Sequence, residues 1–207
     1  MTVIDPLGAR LNAIVRRHLA ARRAAAGVGL ALQRLEQQKI DTARRRVTPA
    51  RRQVACRHLP ESIAAILPLD GSLAALIAEV EDELAWQQNV NYSDAAMNHP
   101  GYMDNYAYAE LVGPAGLWPG DDFLMGLLVL GPHLHYLDHS HPAPELYWLL
   151  TGPSDWRAGS ADFASREQGE MIWHPPHKVH ATRTGTVPLL ALYIWTSDVE
   201  QPARLVT

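Results

Sequence analysis

Leu7, Leu11, Ile14, Val15 and Leu19 recur at helical spacing, which predicts a first amphipathic helix. Asp5 suits its cap and Pro6 its first position. Gly27 and Gly29 weaken or interrupt that helix before Leu30, Leu32 and Leu35 resume an apolar face. Thr48-Pro49 reads as a second cap and start, for a short helix through Cys56. A third helix is expected after Ser72. It puts Leu73, Leu76, Ile77, Val80 and Leu84 on one stripe, with Glu79, Glu81, Asp82 and Glu83 largely opposite. From Tyr106 the pattern changes to short apolar or alternating runs separated by Gly, Pro and Asp: YAYAELVG, FLMGLLVL, HLHYL, ELYWLL, GEMIW, VHATRT and PLLALYIW. Short strands at this spacing indicate an antiparallel sandwich or barrel. The expected division is therefore an α-helical segment over residues 1–98 and a β domain over residues 99–207, joined through NVNYSDAAMNHPGYMDN.

Composition narrows the class. The 207 residues are 47% hydrophobic and 19% charged, which excludes disordered and fibrous chains. One cysteine, Cys56, excludes an internal disulfide and a zinc ribbon. No apolar run is long enough to span a bilayer, so no membrane partner is expected. MTVIDPLGAR has no apolar signal core, which sets a cytoplasmic location as the expectation. The formal charge of −4 is a sum of unlike parts: +10 over residues 1–60 and −14 over residues 61–207. The arginine pairs of the basic segment would suit phosphates, but no nucleic-acid motif accompanies them. Pairing with the acidic half of this chain or of a second subunit is the preferred reading, and no nucleic-acid partner is expected.

The histidines are uneven too: seven of ten lie from His133 to His180. His139 and His141 are two apart on an expected strand, so they face one way. Glu145 follows the turn-like Pro142-Ala143-Pro144, and His180 would come from a later strand. Three imidazoles and a carboxylate suit one divalent Zn, Fe, Mn, Co or Ni ion and leave positions open for substrate. His133 and His135 have no acid at a matching offset and are expected at the surface or behind the ligands. His174 and His177 flank a Pro-Pro turn and read as loop residues.

Gly131, His139-Ser-His141, Glu145 and Gly152 resemble the first cupin motif, with two extra residues between the glycine and the first histidine. Gly169, Pro175, His180 and Thr184 resemble the second, with His177 where that motif usually has Gly and Thr184 where it usually has Asn. The resemblance implies an all-β cupin barrel, a double-stranded β-helix or jelly roll, preceded by the α-helical part. The run Tyr136-Leu-Asp-His139-Ser-His141-Pro-Ala-Pro-Glu145-Leu-Tyr147, then LLTG and HPPHKVHA, is similar to the cupin-type bacterial dimethylsulfoniopropionate (DMSP) lyases of the DddQ and DddL group. That likeness implies β-elimination of DMSP to dimethyl sulfide and acrylate. It implies His139, His141, Glu145 and His180 as metal ligands, and it puts Tyr147 and Tyr136 at the reacting centre.

The residue chemistry agrees with that implication. A metal that binds the substrate carboxylate eases removal of the α-proton, and Tyr147 shares a strand face with Glu145. Tyr147 is the expected base, with Tyr136 as orienter or alternate base. A sulfonium calls for aromatic walls, for which Tyr108, Tyr193 and Trp195 are the expected residues among eight available aromatics. Trp148 alternates with Tyr147 and is expected to point away. The partner is then a small zwitterionic carboxylate, and sheet pairing into a homodimer is an arrangement common among cupins. The alternatives are another metallocupin enzyme, a dioxygenase or isomerase on a small carboxylate, and a non-catalytic cupin sensor.

Overall fold

The computed structural model describes residues 6–40, 45–47 and 49–206. The caps read at Asp5 and Thr48, and Arg44, lie outside the described residues. Helices α1 (Pro6–Ala21) and α2 (Val28–Glu36) are separated where Gly27 takes φ 72°, a left-handed conformation that glycine enters without a Cβ penalty. The short helix expected from Pro49 begins later. Residues 51–53 instead run extended, because Arg51 N donates to Leu84 O (3.2 Å) and Trp86 N donates to Arg51 O (2.9 Å). A 3₁₀ turn at Val54–His58 then leads into α3 (Leu59–Ile66). Pro60 sits in the first turn of α3, where a missing N–H costs little.

Helix α4 (Gly71–Val80) starts one residue before Ser72, and Asp70 is its cap. The Asp70 carboxylate accepts from Ser72 N (2.9 Å) and Leu73 N (3.1 Å). It also bonds His18 Nε2 at 2.7 Å and pairs with Arg17, so one carboxylate closes α4 and ties it to α1.

Ten strands follow: β1 (Tyr106–Val112), β2 (Leu124–Leu130), β3 (His135–Ser140), β4 (Glu145–Leu149), β5 (Ser154–Ala158), β6 (Ala164–Arg166), β7 (Met171–His174), β8 (His180–Thr184), β9 (Leu189–Trp195) and β10 (Arg204–Leu205). They form two five-stranded sheets, ordered β1-β2-β9-β4-β7 and β10-β3-β8-β5-β6. The named strand pairs are all antiparallel. This is the cupin jelly roll, preceded by a few helices. Strands β5, β6 and β10 were not among the expected runs.

Two apolar clusters explain the layering. Tyr147, Tyr193 and Leu128 of the first sheet meet Tyr136, Trp156 and Leu205 of the second inside the barrel. The outer face of the first sheet, with Leu127, Val129, Leu146, Trp148, Leu190 and Leu192, packs with Leu11, Val15, Leu32, Leu73 and Ile77 of the helices. Strands β2 and β4 are consequently buried along their whole length, which is why they read as near-continuous apolar runs.

Arginines of the basic segment pair with carboxylates of the helical part. Arg10 meets Glu79, Arg16 meets Glu36, Arg45 meets Glu83, and Arg52 meets Glu81 and Asp82. Apart from Glu36, these acids belong to the acidic segment beyond residue 60, as expected, but they lie on or beside the helices rather than on the barrel strands. The barrel supplies carbonyls instead: Arg34 donates to Thr196 O, Asp121 O and Asp122 O, and Arg46 to Gly113 O and Pro114 O. Among the described residues, no helix is long and apolar enough to cross a membrane.

Candidate metal centre and substrate cavity

The departures from the cupin motifs have local structural answers. The register of β3 against β8 shifts between Tyr136 and His139, a bulge that absorbs extra chain and re-aims side chains. His139 then pairs with His180 across the two strands. His177 adopts the φ of 60° that glycine would favour, and its N–H donates to His141 O (2.9 Å). Thr184 Oγ1 accepts from Leu134 N (2.8 Å) and donates to Gly131 O (2.7 Å), bracing the turn that precedes β3.

His141, Glu145 and His180 come together as a buried group whose candidate ligand atoms all lie within 4.8 Å of one another. Each imidazole is oriented from behind. His141 Nδ1 bonds Ala143 O (2.9 Å), His180 Nδ1 bonds Lys178 O (2.7 Å) and His139 Nδ1 bonds Leu137 O (2.8 Å). A carbonyl only accepts, so each Nδ1 carries a proton, and in the neutral ring Nε2 presents a lone pair. His141 Nε2 and His180 Nε2 stand 3.1 and 3.3 Å from Glu145 Oε2. Lone pairs and a carboxylate oxygen at such range require positive charge among them, either a proton or a cation, and nitrogen with oxygen donors suits a divalent transition metal. His139 stands outside this tightest trio, edge-on to His180 with ring centroids 4.1 Å apart.

The electrostatics follow. Burial alone would raise the Glu145 carboxyl, but positive charge shared with the facing His141 and His180, and the hydrogen bonds a shared proton makes there, outweigh it and hold Glu145 well below its ordinary value. Burial, reinforced by His180, holds His139 well below the ordinary imidazole value.

Trp195 holds the other carboxylate oxygen: its Nε1 donates to Glu145 Oε1 at 2.7 Å, and its ring stacks on His141 with centroids 4.4 Å apart. It thus positions a candidate ligand as well as lining the cavity. The cavity, about 480 Å³, is walled by Tyr106, Tyr108, Tyr136, Tyr147, Tyr193 and Trp195, with Glu145 at one side. The structure therefore brings Tyr108, Tyr193 and Trp195 to the same space as Tyr147 and Tyr136. Trp118 and Trp148 belong to the outer cluster with the helices, and Trp148 packs at a tilt against His18, facing away as its alternation with Tyr147 predicts.

Tyr136 lies flat on His139, with centroids 3.9 Å apart and planes 4° apart. Its hydroxyl is 3.1 Å from that of Tyr92. Tyr147 neighbours Tyr193 across the β4–β9 pair, and its ring lies 6.3 Å from that of His180. Burial, the charge of Glu145 and a hydrogen bond to it push the Tyr147 phenol well above its ordinary value.

Two residues enter that the sequence reading did not place here. His174 was expected in a loop, yet it closes β7 opposite Glu145, is 1% exposed and stacks on His180 at 4.1 Å. Burial and His180 lower it to about 3. Its register opposite Glu145 is the signal that only strand pairing reveals. Tyr92, from the connecting stretch, reaches Tyr136 through the hydroxyl pair. Asp138 turns to Arg157 in an ion pair rather than to a candidate ligand, and Cys56 is buried.

Comparisons with known proteins converge. A family model described as dimethylsulfoniopropionate lyase matches residues 28–191. The dimethylsulfoniopropionate lyase DddQ of Ruegeria pomeroyi is 31% identical over 99 residues, 48% of this chain and 49% of the relative. The putative dimethylsulfoniopropionate lyase DddL of Cereibacter sphaeroides is 26% identical over 130 residues, 62% and 53% of the two chains. The chain thus spans about half the length of the curated relatives it matches. A structure described under DMSP lyases RdDddP and RnDddQII superposes with TM-score 0.71 at 20% identity, over 95% of this chain and 100% of that one. The DMSP lyase DddQ from Ruegeria pomeroyi gives TM-score 0.65 at 22% identity, over 93% and 96%. These superpositions establish a shared fold.

Proposed function

The chain belongs to the dimethylsulfoniopropionate lyase family, and from that premise we propose that it cleaves DMSP by β-elimination to dimethyl sulfide, acrylate and a proton. The observation that carries this reading is the placement of Tyr147 two residues from Glu145 on β4, lining the same cavity beside the His141–Glu145–His180 group. In this reading residues 99–207 carry the reaction, helices α1, α2 and α4 buttress the outer face of the first sheet, and Asn89, Val90 and Tyr92 of the connecting stretch reach the cavity side.

His139, His141, Glu145 and His180 would hold one divalent Zn, Fe, Mn, Co or Ni ion. Such an ion supplies Lewis acidity to the substrate carboxylate, which makes the adjacent C–H more acidic. Tyr147 Oη takes the α-proton. The electron pair of that C–H bond forms the new C=C bond, and the C–S bond breaks with its pair leaving on sulfur. Dimethyl sulfide departs neutral, so no acid is required on that side. Tyr147 stays protonated in the pocket alone, because burial and Glu145 disfavour its phenolate. Its ionisation is therefore tied to positive charge in the neighbouring group. Tyr136, stacked on His139 and bonded to Tyr92, orients the substrate or serves as alternate base. Tyr108, Tyr193 and Trp195 wall the cavity and exclude water.

The test is headspace detection of dimethyl sulfide from purified protein given DMSP and each metal in turn. Product with at least one metal is expected, and none with any of the five ends this reading.

A further inference from the structure

Glu110 is a cavity residue that the lyase chemistry above does not use. It lies on β1, opposite Gly126 of β2; Gly126 lies opposite Tyr193 of β9, and Tyr193 opposite Tyr147 of β4. Residues paired in this way share a face of the sheet. Glu110 and Tyr147 therefore stand at the two ends of one row, about 14 Å apart at three strand spacings. Gly126 leaves the middle of the row open. A Cβ there would sit 2.7 Å from the Tyr193 ring, so the missing side chain is what lets that ring lie across β2 toward Glu110.

The carboxylate is held in place. The β1–β2 register shifts between Glu110 and Val112, and the chain then turns back so that Ala115 N donates to Glu110 Oε2 at 2.8 Å. Burial raises the Glu110 carboxyl, against the Ala115 hydrogen bond and the charge of Arg46. The charge balance of the lining is one-sided. Three glutamates line the cavity, Glu110, Glu145 and Glu200, and no lysine or arginine does among the described residues. A small anion has no protein cation to meet there. In the lyase reading, a cation held by the His141–Glu145–His180 group would serve the negative end of a zwitterion, whose positive end still needs a partner.

We propose that Glu110, with Tyr193 and Tyr108 beside it, forms the cation subsite that selects a sulfonium over a neutral group of the same shape. This rests on the lyase reading of the same cavity and adds a specificity-determining residue to it. The carboxylate supplies a full negative charge in a partly desolvated wall, and the aromatic faces supply the weaker attraction of their quadrupoles.

Dimethylsulfonioacetate carries the same sulfonium but lacks the β-carbon needed for elimination, and isovalerate is the carboxylate of the same shape with an uncharged carbon in place of the sulfonium sulfur. Calorimetric titration of the metal-loaded protein with each probe reads the subsite without turnover. The wild type is expected to bind dimethylsulfonioacetate more tightly than isovalerate. Glu110→Gln keeps the acceptor for Ala115 N and the side-chain size. It is expected to weaken dimethylsulfonioacetate about tenfold, the order for losing one partly desolvated charge pair, and to leave isovalerate unchanged. A wild type that binds the two probes equally overturns the proposal without any variant, and so does a folded Glu110→Gln protein that keeps the wild-type ratio. A wild type that prefers the sulfonium, loses that preference in Glu110→Gln, yet releases no dimethyl sulfide from DMSP would instead sink the lyase reading and leave the cation subsite standing.

Discussion

Trp195 Nε1 donates a 2.7 Å hydrogen bond to Glu145 Oε1, so the two oxygens of this buried carboxylate have separate duties. Oε1 is fixed by the indole, and Oε2 faces His141 and His180. A carboxylate pinned at one oxygen presents the other at a set position, and such supporting bonds commonly tune metal affinity. Trp195→Phe keeps an aromatic face for His141 but removes the donor. It is expected to weaken metal binding about tenfold, read by competition with a chromophoric chelator, with little change in the melting temperature of the metal-free protein.

Tyr147 is assigned the proton transfer, and Tyr147→Phe removes one oxygen while preserving the buried ring. Loss of a positioned base costs on the order of a hundredfold or more in rate. The variant is expected to bind metal as the wild type does and to release dimethyl sulfide at least about a hundredfold more slowly. Activity near the wild-type level would move the base assignment to Tyr136.

Metal binding to the folded chain alone should stabilise it by mass action, about 2.7 kcal/mol at a free concentration one hundred times the dissociation constant. Thermal melting with and without added divalent ion is expected to show a rise in the wild type. His180→Ala is expected to lose most of that rise, because it removes one member of the group that lies within 4.8 Å.

Asp70 joins helix capping to an ion pair. Burial alone would raise its carboxyl, but hydrogen bonds from His18 and the α4 backbone, with the charge of Arg17, lower it below the ordinary 3.8. A carboxylate lowered on folding contributes stability that is present above the unfolded value and lost as the pH falls through the folded one. Asp70→Asn retains a capping side chain. At pH 7 it is expected to cost about 1.5–3 kcal/mol, the scale of a hydrogen bond to a charged group. Melting curves should show that gap closing below about pH 4.

Much of the fold was legible because burial and periodicity agree. The seven expected runs became strands β1–β4 and β7–β9, since their apolar residues fill either the barrel or the helix-covered face. Ser154–Ala158 escaped notice because Asp155 and Arg157 break its apolar pattern; it is held by pairing with β8. Ala164–Arg166 is exposed throughout and Arg204–Leu205 is only two residues long, so neither carries a local signal. The same holds at the site. His141, Glu145 and His180 could be read from motif spacing. The neighbour His174 could not, because its Pro-Pro flank reads as a turn while strand register buries it opposite Glu145. The duty of the Trp195 N–H is likewise a fact of cross-strand pairing.

The most direct measurement follows DMSP by proton NMR in the presence of the purified, metal-loaded protein. The account predicts loss of DMSP with acrylate and dimethyl sulfide appearing together in equal amounts, and no change with metal-loaded Tyr147→Phe over the same interval. DMSP that persists intact beside the wild type loaded in turn with Zn, Fe, Mn, Co and Ni would contradict it.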